Sequence, residues 1–377
     1  MNYFYKTKIF LTTLVFVVVL GCGENNQSIK DDKNITESIK ISVGKKEVDL
    51  HFNFKKINRE KNVRKWKKLD IISNYFIGDF QNDVLLYPSQ VKTDLEENIY
   101  VLDSGDNSVK KFTCDGKYLK NFGKKGQGPG EFTSVFGFDV AEDGRISLLS
   151  PNDNKFVVFM ERDFIEFKCK YMPLKHCFVN SNEIVTFQIM DPVSASIFQR
   201  INYKLGSINE YENLIEVENI KNNALGMLPF LIGDVHKYKR NELIYVSAIM
   251  GYVVLYDESG KIKNAFKLLD VPELLTSDDN RKRIVGSDSP LIRFPKKDEY
   301  LFISSNIYKD YLFILCNNSL KQTEQYVIDV YSVKNNKYQY SMKLQNSEEI
   351  LWMHITNSRI FLVQNNAQIK IITYKIK

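Results

Sequence analysis

Three of the four histidines in the chain, His176, His236 and His354, fall at corresponding places in short strand-like stretches. Three imidazoles brought to one axis are a ligand set for catalytic zinc, which activates a water or polarises a carbonyl for a lyase or hydrolase reaction. The positions that match them elsewhere in the chain are Val91, Phe138 and Ile303. That apolar company favours histidines hydrogen-bonded within a packed seam, and a buried polar side chain ordinarily finds such a partner. His176, His236, His354 and Arg293 are therefore expected to contact a channel or its ligand. Neither metal nor other cofactor is required.

No other residue pattern carries a reaction. There is no G-x-S-x-G and no H-E-x-x-H. The acidic pairs Asp278-Asp279 and Glu348-Glu349 read as solvated surface. Cys114, Cys169, Cys177 and Cys316 include no C-x-x-C spacing, which argues against zinc and leaves mostly buried thiols as the expectation.

The fifth cysteine, Cys22, has a different setting. Lys6 and Lys8 precede the apolar run from Ile9 to Leu20, which ends in Val19-Leu20-Gly21-Cys22. A run of that length is short for a bilayer span and suits a signal-peptide core. The ending resembles the bacterial lipobox, so residues 1–21 are expected to be a lipoprotein signal and Cys22 the site of lipid attachment. Acyl chains contribute roughly 0.8 kcal/mol per buried methylene, enough for two or three to anchor firmly. Residues 22–40 are polar at first and read as a flexible tether, with one domain over 41–377.

Repetition sets the architecture of that domain. Asn98–Val101 leading to Phe112–Phe122 matches Leu243–Val246 leading to Leu255–Phe266. Both read as strand, turn, strand, Gly-containing hairpin and a further strand. Asp115-Gly116 suits a two-residue type I′ turn. A third unit from Phe138 to Phe167 supplies four short strands separated by turns, the content of one propeller blade. Units anchored near Val91, Phe138, His176, His236, Ile303 and Met353 or His354 are spaced by about 40 to about 65 residues, the period of such blades.

The expected fold is all-β: a six-bladed propeller of four-stranded antiparallel blades. The last unit offers only three strands. Leu69–Phe76 or Val48–Phe52 is available to complete it, so that N-terminal and C-terminal strands close the ring in one blade. A short rim helix is expected over Pro272–Val285.

The run Gly123-Lys124-Lys125-Gly126-Gln127-Gly128-Pro129-Gly130-Glu131-Phe132 resembles the inter-blade connection of the NHL-like six-bladed β-propeller lipoproteins of bacteria. The resemblance covers about Phe76 to Phe159 and implies a fold and an envelope location, not a reaction. A phosphate cradle is the competing reading of this run, but it lacks the Gly-Lys-Ser/Thr ending of a P-loop. Phe132 is expected to plug a crevice between blades.

The chain carries 52 basic and 46 acidic residues, 25 Phe and 21 Tyr. The aromatic content suffices for a large core, and the small net charge selects no partner class. The stretch Lys55–Lys68 has eight basic residues and Trp66 against one acid, which suits either a solvated connector or an anionic surface. Insertions at Met190–Ser196, Ala224–Gly233 and Ser277–Phe294, with Arg281, Lys282, Arg283 and Arg293, are the expected contact loops.

The functional expectation is a lipid-anchored envelope module that binds or scaffolds a protein, peptide or carbohydrate. Its partners are a membrane and that ligand, not nucleic acid. A metal-dependent lyase or hydrolase in the channel, using His176, His236 and His354, is the alternative.

Overall fold

The computed structural model describes residues 36–43, 46–55, 63–78, 85–188, 196–216, 231–239, 241–269, 300–317 and 325–377. Among the described residues, four strands precede the first blade: β1 (Thr36–Val43), β2 (Lys46–Lys55), β3 (Trp66–Lys67) and β4 (Leu69–Ile77). Blade one is β5 (Pro88–Thr93), β6 (Ile99–Asp103), β7 (Ser108–Phe112) and β8 (Tyr118–Phe122). Blade two is β9 (Gly137–Val140), β10 (Ile146–Ser150), β11 (Lys155–Phe159) and β12 (Phe164–Lys168). Blade three is β13 (Pro173–Phe178), β14 (Glu183–Gln188), β15 (Phe198–Asn202) and β16 (Ser207–Glu210), followed by β17 (Ile215–Glu216). Blade four is β18 (Gly233–Tyr238), β19 (Glu242–Ser247), β20 (Tyr252–Tyr256) and β21 (Ile262–Lys267). Blade five is β22 (Phe302–Tyr308), β23 (Tyr311–Cys316), β24 (Gln325–Ser332) and β25 (Lys337–Gln345). Blade six is β26 (Ile350–Ile355), β27 (Arg359–Gln364) and β28 (Ile369–Ile376), completed by β4.

Each anchor residue read from the sequence lies on the first strand of its blade. Second and third strands are buried on both faces, as β10 is along its whole length, because each sheet is sandwiched between two others. Fourth strands are more exposed, as β16 is throughout, whereas β25 of blade five is covered by β3 and partly buried. The apolar core is accordingly divided into six clusters, one at each blade interface. Phe132 is fully buried with Tyr100 of blade one and Leu148 of blade two, and it fills the crevice expected of it. The Glu131 carboxylate reaches into the glycine run: it accepts from the Gly128 N–H at 2.9 Å and pairs with Lys124.

Closure uses the first of the two candidate strands. β4 runs antiparallel to β28 from Ile369↔Ile77 to Ile376↔Leu69. Val48–Phe52 instead lies in β2, within a separate sheet of order β1-β2-β17. There the Phe52 and Tyr252 ring centres are 5.0 Å apart, so the hairpin covers the flank of blade four. β1 begins at Thr36, inside the stretch read as tether, because Ile39, Ile41 and Val43 already alternate with polar residues.

One turn differs from expectation. Gly116 has φ 91° but Asp115 is not in the positive-φ region, and the Gly116 N–H reaches the Thr113 carbonyl at 2.9 Å. The loop is thus a type I turn followed by a left-handed glycine, the three-residue hairpin with a bulge. Cys22, Arg293, the Pro272–Val285 stretch for which a helix was expected, and most of the three insertions lie outside the described residues.

Candidate functional site

The carboxyl-terminal ends of the six inner strands, with the loops that follow them, enclose a cavity of about 1070 Å³. β5 contributes Lys92 and Thr93, β9 Phe138 and Asp139, and β13 Lys175 and His176. Asp234 and His236 come from β18, Ser305 and Asn306 from β22, and Trp352 and His354 from β26. All three predicted histidines therefore face one cavity.

They do not face one point. His176 Nε2 lies 2.6 Å from Ser147 Oγ on β10. His236 Nε2 lies 2.7 Å from Ser305 Oγ, and that hydroxyl donates to Asp234 Oδ2 at 2.8 Å. Ser305 is therefore the acceptor toward His236, which places a proton on His236 Nε2. Asn306 Oδ1 accepts the Ile355 N–H at 3.1 Å, so its amide nitrogen faces His354 Nδ1 at 2.9 Å. His354 then carries its proton on Nε2 and donates to Thr93 Oγ1 at 3.0 Å. Among the described residues no group of three His, Cys, Asp or Glu side chains is disposed to hold a metal.

Polar contacts join every blade to the next around the axis. Lys92 pairs with Asp139, linking blades one and two. Asp139 Oδ2 accepts the Phe178 N–H of blade three at 2.7 Å. Lys175 of blade three meets Asp234 of blade four at 3.1 Å. Asp234 accepts the Ser305 N–H of blade five at 3.1 Å, and His354 of blade six bridges blades five and one.

Farther out, Lys237 pairs with Glu142 at 2.7 Å, Arg145 with Asp143 at 2.5 Å, and Lys239 with Asp310.

Burial sets the protonation of this wall. Desolvation pushes His176 and His236 down to about 4 and His354 to about 3, so all three are neutral near pH 7. Burial alone would raise the Asp234 carboxyl, but the Lys175 charge, His236 and the Ser305 hydrogen bond hold it below its ordinary value.

Lys92, Asp139, Lys175, Asp234 and Trp352 were not foreseen from the sequence. Asp234 and Trp352 each stand two residues before a histidine on the same strand, the spacing that puts both side chains on one face; that signal was available. Lys175 was concealed, because the register shifts between Pro173 and Lys175 and a bulge re-aims the side chains around it.

A family described as six-bladed β-propellers, DUF5128, matches residues 53–247. The chain belongs to this family. Among solved structures, this DUF5128 propeller is similar to a Bacteroides fragilis protein classed as a candidate exported protein. The identity is 12%, the TM-score 0.53, and the match covers 83% of this chain and 99% of the other. It is also similar to a DUF4221 family member from Bacteroides vulgatus at 11% identity and TM-score 0.53, covering 82% and 98%. At such identities the likeness shows the fold. No curated protein matches the DUF5128 chain in sequence.

Proposed function

We propose that this propeller is an exported lipoprotein, held to a membrane through Cys22, whose channel binds a soluble ligand as a binding or scaffold module. The observation that carries the binding reading is the preformed cavity, whose volume of about 1070 Å³ stands at the upper end of ligand pockets of about 300–1,000 Å³. Its wall is fixed by contacts running from blade to blade, so a ligand meets groups already in place and little ordering cost remains. The lipobox ending and the NHL-like Gly-Pro-Gly-Glu-Phe run support the envelope assignment.

Two measurements test the proposal. Calorimetric titration of the detergent-solubilised full chain with the low-mass fraction of the native envelope should show saturable heat, abolished by a bulky Ser305→Trp substitution in the cavity. Cys22→Ser should move the protein from membrane to soluble fractions; pelleting as before refutes the anchor.

The alternative, a metal-dependent lyase or hydrolase, requires His176, His236 and His354 to leave their Ser, Thr and Asn partners. Near-stoichiometric zinc or calcium in the purified chain, lost on His-to-Ala substitution, is the result that would favour it.

A further inference from the structure

We infer that the ligand of this cavity is an uncharged polyhydroxylated molecule, a segment of neutral oligosaccharide. The inference rests on the channel-binding reading above and concerns the chemistry of the ligand alone.

Charge pairing carries the argument. Five carboxylates line the cavity, those of Asp139, Glu142, Asp143, Asp234 and Asp310. Each has a cationic partner that also lines it. The remaining lysine of the wall, Lys309, places its ammonium 5.3 Å from the Tyr308 ring centre. The three histidines are neutral. A cationic ligand gains a carboxylate only by breaking one of these pairs, and an anionic one meets just the exposed Lys309 outside them; for the partly buried pairs Lys92–Asp139 and Lys175–Asp234, displacing one partner is costly.

An uncharged ligand with many hydroxyls has no such conflict. Each ion pair sets a donor and an acceptor side by side, and neighbouring hydroxyls on a sugar ring accept from the ammonium while donating to the carboxylate. Charge-assisted bonds of this kind are the stronger class. Trp352, half-buried on the same wall, gives apolar surface beside the Lys175 ammonium for the C–H face of a pyranose ring. The volume admits more than one ring.

Trp352 provides the assay. The chain has two tryptophans, and Trp66 lies on β3 at the outer edge of blade five, 50% exposed. Trp66→Phe therefore makes emission report on the cavity alone. Full-length protein of this variant is titrated with neutral gluco-, manno- and N-acetylglucosamine oligosaccharides, with uronate and sulfated oligosaccharides of equal length, and with short peptides. Expected are an emission change with one neutral series, at least tenfold tighter binding than for its acidic counterpart, and weak salt dependence. Asp139→Asn and Lys92→Gln should each weaken that binding about tenfold without altering the thermal midpoint by more than a few degrees.

Tighter binding of acidic sugars or peptides overturns the inference while leaving a binding channel in place. Silence toward every probe and toward the envelope extract sinks both.

Discussion

Lys175 and Trp352 meet across the channel, with the ammonium 5.4 Å from the indole ring centre. One belongs to blade three and the other to blade six, on opposite sides of a six-membered ring. The same ammonium reaches Asp234 of blade four at 3.1 Å, so one side chain ties three blades together. A cation over an indole face contributes about 0.5–2 kcal/mol depending on its desolvation.

Lys175→Met is expected to destabilise the propeller by about 1–3 kcal/mol, because it strands the buried Asp234 carboxylate with Ser305 as its remaining partner. Lys175→Met with Asp234→Asn should recover most of that loss. Urea unfolding of both variants checks this, and additive losses would contradict the pairing.

The histidines predict a pH dependence. Their folded values of about 4, 4 and 3 lie below the unfolded value of about 6.5. Between those limits the unfolded chain binds protons that the folded one does not, so stability is full above about pH 6.5 and falls as pH drops toward 4. For His176, which is 5% exposed, the loss is on the order of 3 kcal/mol. His236 and His354 are more exposed than His176, so solvent screening reduces their contribution. His176→Gln should shallow the slope of unfolding free energy across pH 4 to 6.5 by about one proton; an unchanged slope would mean that His176 titrates normally in the fold.

An ion pair between half-buried Arg64 and buried Asp329 fastens the N-terminal segment to blade five. Arg64 Nε and Nη2 reach Asp329 Oδ1 and Oδ2 at 3.0 and 2.8 Å, and Ser341 donates to the same carboxylate at 2.5 Å. Next to this pair β3 runs parallel to β25. Arg64→Met is expected to cost about 2–4 kcal/mol and to speed hydrogen exchange at the Ser341 N–H, which donates to the Lys65 carbonyl. Lys68→Ala, whose pair with Asp70 is largely exposed, should change stability by less than about 0.5 kcal/mol.

The blades were legible in the sequence because their signals are local. Short apolar runs such as Phe156–Phe159 and turn glycines such as Gly144 lie within a few residues of each other and repeat. The facing of side chains into the channel was legible at the three histidines but not at residues such as Lys175, because the inner strands of blades one, three, five and six shift register near their starts. A strict period of two, counted from the strand start, then assigns the wrong face. The pairing partners of the wall were hidden for a different reason. Lys92 and Asp139 are 47 residues apart, and only the blade-to-blade register makes them neighbours. The segment before Trp66 read as a connector, and its use of Arg64 as a fastener depends on Asp329 at a separation of 265 residues.

Ring closure gives the sharpest test of the architecture. Among the described residues β4 is the N-terminal contribution to blade six, and without it β28 presents an open edge along Ile369–Ile376. Such an edge is a template for pairing with other chains. A chain lacking residues 1–35 keeps every described strand and should unfold at the temperature of the full protein. A chain lacking residues 1–78 loses β4, the Arg64 fastener and the cover on blade four, and its melting temperature should fall by on the order of 10 °C or more, with self-association. Much of that loss should be recovered by a synthetic peptide spanning residues 63–78, since it carries both Arg64 and the closing strand. Recovery that fails while the truncated chain still melts cooperatively at its original temperature would show that the ring stands without its N-terminal strand.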